Sequence, residues 1–222
     1  MAFNTITIAY SGSLDAYVPK KKRNFLDFLM QWFWTYKHDT VDSSTRSAYY
    51  LIKAVKILKE KHGIRHDQIN FDFWGKIHPI NKQQSEREGV AEYFNINAYI
   101  EKDKSLEKLK NADVLFLPLE MSNTPGIGTL FIPGKLFEYL NTGKPILALC
   151  ENSDCKTILE ASGLGICVNP NQPEQIADIL LKIISDLSFL QTFKPDRDYI
   201  SQFSFVNKTA ELSEVFNKLN VK

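Results

Sequence analysis

Residues 132–149, IPGKLFEYLNTGKPILAL, combine the residue types with the most chemical reach in the sequence. Pro-Gly-Lys ahead of an apolar-periodic run reads as a helix start near Gly134. A helix start presents unpaired amides backed by the positive end of the helix dipole, and Lys135 adds a full charge in the first turn, so the segment is suited to an anion such as phosphate. Glu138 follows about one helical turn later, ~5 Å along the axis. A carboxylate accepts two hydrogen bonds side by side, which suits the vicinal hydroxyls of a ribose. The spacing matches the pyrophosphate-to-ribose step of a nucleotide. The alternative is a solvated Glu138 whose ion-pair partner is Lys135, three positions earlier.

Two further stretches carry suitable residues. In YSGSLD, residues 10–15, Gly12 lets the backbone pass close to a ligand, and Ser13 offers a hydroxyl and an amide. LEMSNTPGIGTLFIPGK, residues 119–135, is a glycine-bearing loop that delivers the chain to the helix at Gly134.

These segments need a scaffold that brings them together, and the rest of the sequence supplies one. Short aliphatic runs at 4–10, 69–74, 96–100, 113–118, 145–150 and 164–168 read as strands. Helical periodicity falls at 43–62 (capped by Ser43 or Ser44), 82–93, 104–111, 134–142, 154–162, 173–187 and 205–219. Unbroken apolar runs such as DVLFLP and PILALC mark strands buried on both faces. The alternation predicts an α/β fold: a doubly wound, Rossmann-like sheet of about six parallel strands, with ligands at the carboxyl ends of the strands.

Residues 15–42 break the alternation and read as an insertion. Phe25, Phe28, Leu29, Trp32, Phe33 and Tyr36 share one broad helical face behind Lys20, Lys21, Lys22 and Arg23. Such a helix needs cover, from its own domain, from a missing partner domain, or from a membrane surface touched peripherally through 20–36.

With 27 basic and 26 acidic residues the net charge is +1, so no overall field gathers nucleic acid. Cys150, Cys155 and Cys167 stand at no zinc-ligand spacing with the four histidines and are expected as buried thiols in a reducing cytosol. The N-terminus lacks the pattern of a secretion signal, and no apolar run approaches the ~20 residues that span a bilayer. The chain reads as cytoplasmic.

IPGKLFEYLNTGKPILAL resembles the Pro-(Ser/Gly)-Lys-x-x-Glu-Tyr-x-x-x-Gly-Lys-Pro segment of family 4 glycosyltransferases, retaining enzymes of the GT-B fold. The resemblance continues in order through ITIAYSGSL, FDFWGKI, NADVLFLPL and ILEASGLGICVNPNQPEQIADILLKII, covering roughly residues 4–187. It implies a single domain, residues 1–222, that binds the nucleotide-sugar donor (a UDP- or GDP-sugar) and forms one half of a GT-B enzyme of cell-surface polysaccharide or lipopolysaccharide synthesis. Glu138 would hold the ribose. The amides of Gly134 and Lys135, with Gly12 and Ser13, would hold the diphosphate, and the loop after Gly75, with Lys76, would lie near the base. No metal or cofactor is implied. The resemblance leaves no room for the family's N-terminal acceptor domain, so the chain is expected to be an excised piece, or else a free-standing donor domain, that transfers little by itself; its last helix, 205–219, would pack across the neighbour the family has.

The sequence departs from the family pattern in two places. The first acid of the usual Glu-x7-Glu pair is Leu130, and the basic pair usual after the first glycine is Ser13-Leu14. Lys135 is the expected substitute cation, with Lys22 and Arg23 behind it, while amides across Gly126–Thr129, including Gly128 and Thr129, would serve the sugar. A scaffolding domain that binds nucleotide without chemistry, and half of a sugar-nucleotide epimerase, are the competing readings.

Overall fold

A computed structural model describes residues 5–17, 41–122, 129 and 131–219. The apolar helix expected at 20–36 with its basic run, and Gly126, Gly128 and Leu130 of the glycine loop, lie outside the described residues.

The chain opens with β1 (Ile6–Leu14), followed by the two-residue β2 (Val41–Asp42) and helix α1 (Tyr49–His62). Strand β3 (Ile69–Ile77), α2 (Pro79–Arg87), β4 (Phe94–Asn97), α3 (Lys102–Asn111), β5 (Val114–Pro118) and the short β6 (Met121–Ser122) come next. Helix α4 (Gly134–Thr142) and strand β7 (Ile146–Leu149) are succeeded by α5 (Asp154–Ala161), β8 (Gly165–Val168) and α6 (Pro173–Ser185). The last described elements are the helices α7 (Leu187–Gln191), α8 (Arg197–Ser201) and α9 (Phe205–Leu219).

The parallel sheet runs β4-β3-β1-β5-β7-β8, and β2 pairs antiparallel with β6 in a separate ribbon. The chain builds outward from β1 to β4, then returns to the other edge of β1. This reversal opens a crevice at the carboxyl ends of β1 and β5, the switch point where doubly wound sheets bind ligands. The predicted fold class is the observed one, a six-stranded parallel Rossmann-like sheet.

Alternating side chains divide the core between the two faces of the sheet. Ile8, Tyr10, Phe73, Phe116, Leu147 and Leu149 pack under α1 and α6, whereas Ala9, Leu115, Leu117, Ile146 and Ala148 pack under α4 and α5. Every residue of β5 and β7 is buried, as the apolar runs predicted.

Several boundaries differ from the sequence reading. β1 runs through the expected glycine turn: it pairs with β3 without interruption from Ile6↔Ile69 to Leu14↔Ile77, so Gly12 faces Gly75 and Ser13 faces Lys76. Glycine at both positions (φ 142° and 127°) permits this, because a Cβ on Gly75 would lie 2.1 Å from the Gly12 carbonyl oxygen. β4 begins at Phe94, ahead of the expected 96–100, because Phe94 is buried and stacks on Phe71 with ring centroids 4.9 Å apart. The helix expected over 43–62 is a 3-10 turn at Ser43–Thr45 and then α1. Asp42 caps the turn by accepting from the Ser44 amide, while Arg46 (φ −76°, ψ 52°) leaves helical geometry and separates the two. α2 starts at Pro79, with proline in its first turn, and ends ahead of Gly89, short of the expected 93. α4 matches its predicted bounds and ends at Gly143 in the left-handed conformation.

Candidate functional site at the strand switch point

Among the described residues, two cavities flank the carboxyl end of β1. The larger, about 350 Å³, lies at the switch point and is lined by Tyr10, Gly12, Ser13, Arg46, Leu117, Pro118, Leu119, Glu120, Phe131, Pro133 and Lys135. The smaller, about 200 Å³, lies on the β3 side and is lined by Ser11, Gly12, Ser13, Gly75, Lys76, Tyr99 and Ile100. Gly12 and Ser13 border both. Of the residues predicted for the site, Gly12, Ser13, Lys76 and Lys135 thus line one or both cavities.

Lys135 leaves the first turn of α4, where Pro133 occupies the N-cap and, among the described residues, no side chain caps the amides. Its Nζ donates to the Tyr10 hydroxyl at 2.8 Å and lies 4.0 Å from the centroid of the same ring. The Tyr10 hydroxyl in turn donates to the Ser13 carbonyl at 2.6 Å. Gly12 makes room for the ammonium, since a Cβ there would stand 1.9 Å from Lys135 Nζ. Burial lowers the Lys135 pKa to about 8, and the positive charge of Arg46 pushes the same way against the weaker pull of Glu138. Burial raises the Tyr10 pKa, so its phenol stays neutral.

Arg46 was not anticipated as a site residue. Its Nε and Nη2 lie 3.0 and 2.7 Å from Asp15 Oδ2, and its Nη1 is 3.5 Å from Glu120 Oε1. The backbone fixes the same relationship, with the Asp15 amide donating to the Arg46 carbonyl at 2.9 Å. Next door, the buried Thr45 hydroxyl accepts from the Met121 amide at 3.0 Å and lies 2.8 and 3.1 Å from the carbonyl oxygens of Asp42 and Leu119. The turn bearing Arg46 is thereby fastened to the loop that follows β5. The expected cation was sought just after the first glycine, whereas Arg46 arrives beyond the insertion. Its one sequence signal was an arginine between small polar residues, STRS, ahead of the apolar run of α1.

Glu138 takes a different position. It is exposed, pairs with Lys102 at the start of α3 (3.3 Å) rather than with Lys135, and is absent from the linings of both cavities above. It borders a groove of about 360 Å³ with Phe137, Leu140, Asn141, Ile200 and Phe203. Gly134 is exposed at the helix start, and the Thr129 side chain is buried. The three cysteines are free thiols. Cys155 donates to the Phe131 carbonyl at 3.3 Å and supports the cavity wall from behind, and burial raises its pKa to about 11.

No helix among the described residues is long and apolar enough to cross a membrane.

No curated protein matches the sequence. Solved structures do match at the level of fold. Anabaena HepE in complex with UDP superposes with a TM-score of 0.62 at 16% identity, over 97% of this chain and 49% of that one. WaaG, a glycosyltransferase involved in lipopolysaccharide biosynthesis, gives 0.54 at 16% identity over 89% and 52%. Sucrose-phosphate synthase from Thermosynechococcus elongatus gives 0.60 at 13% identity over 77% and 41%. The chain spans about half the length of the first structures it matches. The family model described as glycosyl transferases group 1 covers residues 41–186, a span that includes the Arg46 turn, β5 and α4 with Lys135 and Glu138. The chain therefore belongs to the group 1 glycosyltransferases.

Proposed function

We propose that this chain is the donor-binding half of a retaining, metal-independent hexosyltransferase that takes a nucleotide-diphosphate sugar. One observation carries the reading: Lys135 and Arg46 line the cavity at the strand switch point together with Pro133, the N-cap of α4. The structures of HepE were solved with UDP and with UDP-glucose, which favours a uridine nucleotide as the first ligand to try.

In this reading the diphosphate occupies the switch-point cavity, the base lies toward Lys76 and Tyr99, and Glu138 exchanges Lys102 for the ribose hydroxyls. Gly128 and Thr129 serve the sugar. Transfer breaks the bond between the anomeric carbon and the phosphate oxygen as an acceptor hydroxyl oxygen bonds to that carbon from the same face and passes its proton to the departing diphosphate, on which negative charge grows in the transition state. Lys135, Arg46 and the α4 amides stabilise that charge where it develops, the role a metal ion would otherwise fill. The acceptor belongs to cell-surface polysaccharide or lipopolysaccharide synthesis and is held by a second domain, without which turnover is very low. The site faces the cytoplasm, with residues 20–36 as a peripheral contact to the inner membrane.

A second reading, nucleotide binding without chemistry, is favoured by Leu130 in place of an acid. Thermal unfolding with UDP, GDP and ADP tests nucleotide binding. A specific ligand at a hundredfold excess over its Kd stabilises by about 2.7 kcal/mol, and a chain that ignores all three nucleotides is not a donor domain. Hydrolysis or transfer from UDP-glucose after adding back the second domain separates enzyme from scaffold.

A further inference from the structure

We propose that Tyr10 is a positioning residue, which aims the Lys135 ammonium at the Gly12 side of the switch-point cavity without neutralising it. The proposal rests on the diphosphate reading for its purpose, but the contact itself is independent of any ligand.

Tyr10 cannot swing. It is 1% exposed, and its ring meets Phe73 and Phe116 edge-on at centroid distances of 5.8 and 6.2 Å. Its single hydroxyl proton is committed to the Ser13 carbonyl at 2.6 Å, so the oxygen lone pairs are left for the Lys135 ammonium at 2.8 Å. The ring face adds a cation–π contact at 4.0 Å. An apolar residue would fill the same core volume, but the hydroxyl reaches past the core to the site.

The neutrality of the partner matters. A carboxylate here would pair with the ammonium and cancel the charge that an anionic ligand needs, whereas a phenol orients the cation and leaves its charge available. The other charges that act on Lys135 are Arg46 from the turn before α1 and Glu138 from its own helix, and Asp15 acts on Tyr10. Of these, Tyr10 alone is hydrogen-bonded to the ammonium.

Tyr10→Phe keeps the ring and removes the hydroxyl. UDP binding by calorimetry and the ligand-free titration of the Lys135 side chain by NMR, on carbon-13-labelled protein, read two different consequences. Tyr10→Phe is expected to weaken UDP binding five- to tenfold in the unsubstituted chain and less than twofold in a Lys135→Gln background. The ligand-free Lys135 midpoint is expected to rise toward the ordinary lysine value as the released side chain swings to solvent. An equal loss of affinity in both backgrounds, or a Lys135 midpoint unmoved by Tyr10→Phe, overturns the proposal. If UDP fails to bind the unsubstituted chain, the diphosphate reading falls, and the titration still decides whether Tyr10 positions Lys135.

Discussion

Gly12 and Gly75 face each other in adjacent strands, so close that a Cβ on Gly75 would lie 2.1 Å from the Gly12 carbonyl oxygen. The pair lets β1 and β3 continue side by side to the rim of both cavities, carrying Ser13 and Lys76 with them. Gly75→Ala adds a methyl group at a φ of 127° against backbone that cannot yield locally. The expected cost is about 3 kcal/mol of stability, read as a lower denaturation midpoint with an unchanged slope in urea.

Nucleotide affinity should depend on pH through Lys135. With its pKa lowered to about 8 by burial, Lys135 is largely protonated at pH 7 and loses its charge as pH rises through 8. UDP affinity is expected to fall over pH 7–9, and Lys135→Gln should flatten that part of the profile. The contribution to stability has the opposite sign. Between about 8 and the unfolded value near 10.5 the unfolded chain binds the extra proton, so this group makes stability rise with pH across that window. Calorimetric titration and urea unfolding over the same pH series check both directions.

Arg46→Gln removes the planar cation of the switch-point cavity and leaves Asp15, and Glu120 in the cavity wall, without that partner. UDP binding is expected to weaken ten- to a hundredfold. The fold should lose no more than about 1 kcal/mol, because these ion pairs are partly exposed. Arg46→Lys should recover only part of the binding, since a point charge cannot reproduce the guanidinium fork.

Glu138→Ala is expected to weaken binding of UDP while leaving the melting temperature within about 1–2 °C, because its link to Lys102 is a surface ion pair worth about 1 kcal/mol or less. Lys102→Ala should be equally mild in stability. A Glu138→Ala variant that binds UDP at full strength would remove Glu138 from the donor site.

Much of the scaffold could be read from the sequence. The apolar runs of β5 and β7 allowed few alternatives to buried parallel strands, and the Pro-Gly-Lys start and Gly143 stop bound α4 on both sides. The extension of β1 was hidden because Gly12 reads locally as a turn signal, and only its pairing with Gly75, more than sixty residues away, reveals a strand. Arg46 was missed for a related reason: its place at the cavity depends on Asp15 and on the Thr45 contacts, none of which a local pattern records. The partner of Glu138 was also non-local. Spacing suggested Lys135 three residues away, but that ammonium turns inward to Tyr10 and leaves Glu138 to Lys102.

The Thr45 hydroxyl bridges two rims of one opening, the Arg46 turn and the backbone at Leu119 and Met121. Through that one hydroxyl the placement of either rim depends on the other. Loss of that hydroxyl would loosen the seat of the guanidinium as well as the backbone that follows β5.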